Sequence, residues 1–467
     1  MSSKPTQAIV VLFVFLGSLV AHAGDLQVGA ASVKITPPLG VPMAGYYFGR
    51  SAEGVHDDLY AKAIVLEKGG VKAALVALDL ISTKRDFVEA ARQEIEQTTG
   101  IPGDHVMISA THAHTGPVLS GRSTRTNDLG GKRTSAQEYT ASLPNRIAES
   151  VQAAHGRLVP AKVAAGLGHE DQLSFNRRFH MKDGTVGWNP GKLNPNIIRP
   201  VGPIDPDVPV VYLETRKGRS IATYVNFTMH LDTVGGLQIS ADYPYTISRL
   251  LADFKGPEML TVFTIGTAGD INHLNVKWAH RQKGHGEAAR IGTILAAEVF
   301  KTFERLEPLD PGRLAARSEI AKLPLPDIEP GDVEKAREVV ARRRERSSNR
   351  PTFLETVNAY KVLDVAARKG KPLQAEVQVI ALGQDIAWVG LPGEIFVEIG
   401  FAIKRASPFK YTVVAELANG SIGYVPTKRA YPEGNYEVVS ARCAEGSGEL
   451  LADAALRLLR DLYAAAP

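Results

Sequence analysis

The sequence predicts an α/β fold with mixed, partly parallel sheets and flanking helices. Three observations predict it. Short apolar segments alternate with amphipathic ones through most of the chain. The 467 residues, 44% hydrophobic and 22% charged, have a globular composition and enough length to bury a large core. Several apolar segments end in polar turns containing glycine, the position at which open α/β folds bind ligands.

Taken in order, residues 8–20 (AIVVLFVFLGSLV) follow Lys4 and precede Ala21-His22-Ala23. A short positive start, an apolar run and an A-x-A site read as a signal peptide over residues 1–23, cleaved before Gly24. The expected product is exported, periplasmic or secreted. No later run of 18 apolar residues appears, so no membrane span is expected. Residues 24–467 read as one large hydrolase domain. Strands are expected at 71–79, 104–110, 208–214, 220–227 and 260–265. Helical spacing covers 86–97, 136–155, 244–254 and 286–306. The stretch 308–372 is rich in proline and charge, includes a helical run from Val333 to Arg346, and reads as a surface insertion. Residues 374–381 and 385–391 form a candidate hairpin, 411–417 a strand, and 449–464 a terminal helix. With the chain ending there, no C-terminal β-sandwich domain is expected.

Charge and cysteine content exclude several classes. Lys and Arg total 54 against 50 Asp and Glu, a formal charge of +4, and no basic run with interleaved aromatics occurs. Nucleic-acid binding is not expected. The single cysteine, Cys443, excludes an intrachain disulfide and a CxxC motif. Any bound metal must use His, carboxylate or Tyr.

Candidate chemistry collects after the strands, in Thr111-His112-Ala113-His114-Thr115, Met229-His230-Leu231-Asp232, Gly269-Asp270-Ile271-Asn272-His273, Pro392-Gly393-Glu394 and Asn419-Gly420-Ser421-Ile422-Gly423-Tyr424. An extended His-x-His places both imidazoles on one face. Each of these residues alone also fits an ordinary surface or core role. Jointly, two His, one carboxylate and one further oxygen have the form of a catalytic zinc site at the carboxyl ends of strands. Such a zinc lowers the pKa of bound water and polarises a carbonyl.

These residues also resemble the catalytic domain of the neutral/alkaline (non-lysosomal) ceramidases, zinc amidases that cleave ceramide. The similarity runs from about Val28 to the chain end. Its most specific block is Ser109-Ala110-Thr111-His112-Ala113-His114-Thr115-Gly116-Pro117, supported by Gly54-Val55-His56, Asn176-Arg177, Leu391-Pro392-Gly393-Glu394 and Tyr436-Glu437. The resemblance implies zinc on His112, His230, Glu394 and Tyr424. It implies His114 beside the substrate amide, and Arg177 and Tyr436 at the reacting carbonyl. The family's Gly-Asp-Val-Ser-Pro-Asn segment here reads Gly269-Asp270-Ile271-Asn272-His273-Leu274-Asn275, so a serine nucleophile is excluded at Asn272. That side chain is instead a candidate hydrogen-bond donor, and His273 a candidate extension of the site. The expected substrate is ceramide or a related N-acyl lipid, met by transient contact with a membrane surface. No protein partner is implied. The alternatives are the same metal-site hydrolase acting on a non-lipid amide or ester, and a non-catalytic binding protein.

Overall fold

The computed structural model describes residues 24–343 and 350–465. The expected signal peptide and the last residues of the Val333–Arg346 run lie outside the described residues.

The elements form a large mixed sheet and a smaller one. The first part of the chain gives β1 (Gln27–Lys34), β2 (Tyr60–Lys68), β3 (Val71–Leu78), α1 (Arg85–Thr99), β4 (Val106–Ala110), α2 (Thr134–His155) and β5 (Val159–His169). Then come β6 (Asp207–Thr215), β7 (Ser220–Phe227), α3 (Tyr243–Lys255), β8 (Leu260–Ile265) and α4 (His285–Phe303). The main path of the large sheet runs β8-β7-β6-β5-β1-β2-β3-β4. The pairs β7/β8 and β3/β4 are parallel, each bridged by a crossover containing a helix, and the rest are antiparallel. The partly parallel α/β expectation is borne out.

The expected strand 220–227 matches β7, and 260–265 matches β8. The 104–110 segment differs at its start: Gly103–His105 is a 3₁₀ turn and the ladder begins at Val106. His105 donates its N–H to the Pro102 carbonyl at 2.9 Å, which closes the turn.

The second sheet takes β9 (Leu314–Leu323), β10 (Leu373–Leu382), β11 (Ile386–Gly390) and β13 (Tyr411–Ala415), in that spatial order. Between its last two strands lie the two-residue β12 (Glu394–Ile395) and helix α7 (Val397–Ala406). After β13 come β14 (Tyr424–Val425), helix α8 (Asn435–Ser440) and α9 (Ser447–Ala464). The 308–372 stretch, read from its charge as an insertion, contains β9, which pairs with β10 along its whole length. It also contains α5 (Asp332–Arg342) and α6 (Phe353–Ala366).

Strand alternation sets how the layers stack. On β2, Ala61, Ala63 and Val65 join the core under α1 to α4, whereas Ile64 and Leu66 face the other way. On β10, Ile380 and Leu382 meet Ile64 and Leu66 in a shared inter-sheet cluster. Ala375, Val377 and Val379 pack instead with Ile399 and Ile403 of α7 and Leu451 and Leu458 of α9. The period of two thus builds four layers: helix, sheet, sheet, helix. Both sheets present strand ends to one cavity.

Candidate metal centre

At the end of β4 the chain leaves its ladder. Thr111 and His112 donate their N–H groups to Leu78 and Leu80 carbonyls, and His114 donates to Leu231. His112 takes φ +77°, the left-handed region. The extended His-x-His geometry expected from sequence is therefore corrected. These captured backbone groups form a turn, and the turn brings the rings together with Nε2 atoms 3.2 Å apart.

Two carbonyls decide the tautomers. His112 Nδ1 lies 2.7 Å from the Ile81 oxygen, and His230 Nδ1 lies 2.8 Å from that of Ala268. A carbonyl only accepts, so each Nδ1 carries the proton and each Nε2 presents a lone pair. Burial, then neighbouring His230, pushes His112 down to about 4, so it stays neutral near pH 7. Both Nε2 atoms face one oxygen, Glu394 Oε2, at 3.5 Å each. His230 Nε2 is buried without a hydrogen-bond partner. Two lone pairs aimed at a carboxylate repel it unless a cation lies between them. Zinc held tetrahedrally by N and O at about 2.0–2.2 Å keeps its ligand atoms about 3.3–3.6 Å apart, so the donor set fits such an ion. Ligand nitrogens of His112, His114 and His230 also lie within 4.8 Å of one another, a group that could hold a metal.

Glu394 and Tyr424 meet because β12 and β14 pair in parallel with these residues in register. The Tyr424 hydroxyl donates to the Glu394 carboxylate. Gly269 makes room behind them: a Cβ there would stand 2.5 Å from the Glu394 carbonyl oxygen.

The remaining predicted residues separate. His112, His114, Glu394, Tyr424 and Tyr436 line a cavity of about 400 Å³, and His230 is buried behind it. Arg177 does not line the cavity. Its guanidinium donates to Glu437 at 2.7 Å, to the Gly269 carbonyl at 2.6 Å and to the Tyr424 hydroxyl at 3.1 Å. It reaches the site through Tyr424. Asn272 is not brought to the cavity either. It sits on a two-residue ladder with Phe175, its amide donating to Asn189 and its oxygen accepting from Leu274 N–H. His273 is spent on Asp232, at 3.1 Å, and on the Gln282 carbonyl. Tyr46 and Tyr47 line the cavity, whereas Phe48 is exposed.

Sequence reasoning missed Arg122, Arg125, Asp364 and Arg368, which also line the cavity. The two arginines of Arg122-Ser123-Thr124-Arg125, just after the histidine block, were the available signal. Asp364 and Arg368 come from the stretch read as an insertion, and no local signal marks them.

Fold and site define a mixed α/β protein with a metal-competent histidine–carboxylate group at a cavity formed by strand ends. Residues 26–181 match the family model described as neutral/alkaline non-lysosomal ceramidase, N-terminal, which bears out the resemblance read from sequence. The fold is similar to that of the neutral ceramidase from Pseudomonas aeruginosa, with a TM-score of 0.74 and 20% identity over 95% of this chain and 75% of that one. It is equally similar to a ceramidase complexed with C2, with a TM-score of 0.74 and 19% identity over 95% of this chain and 76% of that one. No curated protein is matched by the sequence.

Proposed function

We propose that this chain is an exported, zinc-dependent amidohydrolase of the neutral ceramidase type. Its reaction adds water across the amide of ceramide or a related N-acyl substrate, releasing a carboxylic acid and an amine. The observation that carries the reading is the pair of proton-free Nε2 atoms on His112 and His230, both 3.5 Å from Glu394 Oε2. His112, His230, Glu394 and Tyr424 would hold the ion. Zinc supplies a water acidic enough to attack at neutral pH and a Lewis acid for the carbonyl. Arg177 positions Tyr424 and, with Glu437, fixes the wall behind it. Tyr436 faces the cavity, where its hydroxyl can donate to the carbonyl oxygen as charge develops. His114 lines the same wall and can pass a proton to the leaving amine.

Export rests on the apolar run 8–20 and the Ala21-His22-Ala23 site. N-terminal sequencing of the exported protein should begin at Gly24. Substrate contact at a membrane surface is transient in this reading: among the described residues no helix is long and apolar enough to cross a membrane.

The test is amine release from a fluorescent short-chain ceramide by the chain from Gly24 onward, with and without a zinc chelator, alongside metal analysis. Chelator-sensitive release is expected. Absence of bound metal in active protein would overturn the reading. One observation favours the non-lipid alternative: the cavity wall carries arginines beside its aromatic rings.

A further inference from the structure

The cavity has more cationic than anionic groups, and its carboxylates are already used. Asp364 accepts from Arg442 at 2.6 Å and from Thr124 at 2.8 Å. Glu376 is paired with Arg92 at 2.9 Å. Glu394 faces the two histidines. Arg122 and Arg125 have no carboxylate partner within ion-pair distance among the described residues. Arg122 donates to the Ser421 hydroxyl at 3.1 Å. The Arg125 guanidinium lies 4.3 Å over the Tyr47 ring, which leaves its N–H edges free. Arg85, on the same wall, holds a buried Nη1 with no hydrogen-bond partner.

Both arginines are half-buried. Arg122 and Arg125 line the same cavity as Glu394, Tyr424 and Tyr436, and both feel the Glu394 charge. Burial, and then Arg125, pushes the Arg122 guanidinium down to about 10, whereas Arg125, although burial opposes it, is held above its ordinary value beside Tyr47 and Glu394. Cations gathered in a partly desolvated cavity without an ion-pair partner are costly, and a ligand that supplies one offsets that cost. Guanidinium forks match carboxylate and phosphate oxygens.

We infer that Arg122 and Arg125 form an anion subsite, and that the preferred amide substrate carries an acidic group, carboxylate or phosphate, which this subsite binds. A neutral ceramide would give neither guanidinium an ion-pair partner. The inference rests on the amidase reading for its substrate, and on cavity charge alone for its subsite.

Calorimetry on the full chain tests it with non-hydrolysable sulfonamides. One pair is hexanesulfonylglycine and its neutral glycinamide. The other is hexanesulfonylethanolamine phosphate and the neutral alcohol. At least one charged member should bind about tenfold or more tightly than its neutral mate. In Arg122→Gln and Arg125→Gln, with metal content unchanged, that ratio should fall toward one. A ratio near one for both pairs in the wild type, no binding of any probe, or a ratio unchanged in both variants overturns the subsite. The wild-type comparison holds whether or not a variant folds. Turnover of the matching N-hexanoyl amides is read separately. Charge discrimination without turnover keeps the subsite and removes the amidase. Turnover without charge discrimination does the reverse.

Discussion

His112 and His230 are each oriented by a backbone carbonyl, of Ile81 and Ala268, and that acceptor decides which ring nitrogen is free. Tyr436 lines the cavity without belonging to the proposed ligand set. Tyr436→Phe should therefore keep a full equivalent of metal while lowering kcat roughly 10²-fold or more. Unchanged turnover would remove it from the mechanism. Asp242 offers a pH test away from the centre. Burial pushes its carboxyl from 3.8 up to about 6, although it caps α3 and accepts from Tyr243 and Val234 N–H. Between roughly pH 4 and 6 the folded chain then holds a proton that the unfolded chain has released. The stability this confers is fully present below pH 4 and is lost as pH rises through 6. Asp242→Asn cannot ionise, so its melting temperature should approach or overtake that of wild type as pH goes from 4.5 to 7. A constant difference would contradict the shift.

Among elements, the shortest strands carry the most chemistry. β12 and β14 have two residues each, yet their parallel register sets Glu394 beside Tyr424. They are held against the Gly269 turn, whose N–H donates to the Ile395 carbonyl at 2.8 Å. A methyl group at Gly269 meets backbone that cannot rotate away. Gly269→Ala should displace β12 and weaken metal affinity about tenfold or more, measured by chelator competition. Affinity equal to wild type would show that β12 is free to move. The long elements were legible because their signals are local. β7 and β8 are rich in β-branched and aromatic residues, and α1 shows helical spacing ended by Gly100 in the left-handed conformation. β12 and β14 were not legible as strands, since two residues contain no period.

On the scale of the whole molecule, the centre joins the two sheets. His112 and His230 follow strands of the large sheet, and Glu394 and Tyr424 belong to segments flanking the strands of the small one. An ion bound there ties both sheets together and stabilises only the folded chain. At a metal concentration a hundred times Kd the gain is about 2.7 kcal/mol, or roughly 3 °C for a chain of this length. Chelation should lower the wild-type melting temperature by that amount and leave His112→Ala unmoved. An equal drop in both would point to a metal elsewhere.

The sequence by itself determined the alternation of strands and helices, the residue types able to bind a metal, and the resemblance to ceramidases, because periodicity and motif are carried by neighbours along the chain. Tertiary structure alone decided which nitrogens are free, that the His-x-His meets through a turn, that Arg177 works through Tyr424, and that Asn272 is spent on Asn189. It also decided that Arg122 and Arg125 share a cavity with Glu394. Each of those outcomes depends on contacts between distant segments, where packing of the two sheets fixes distances that no local pattern encodes.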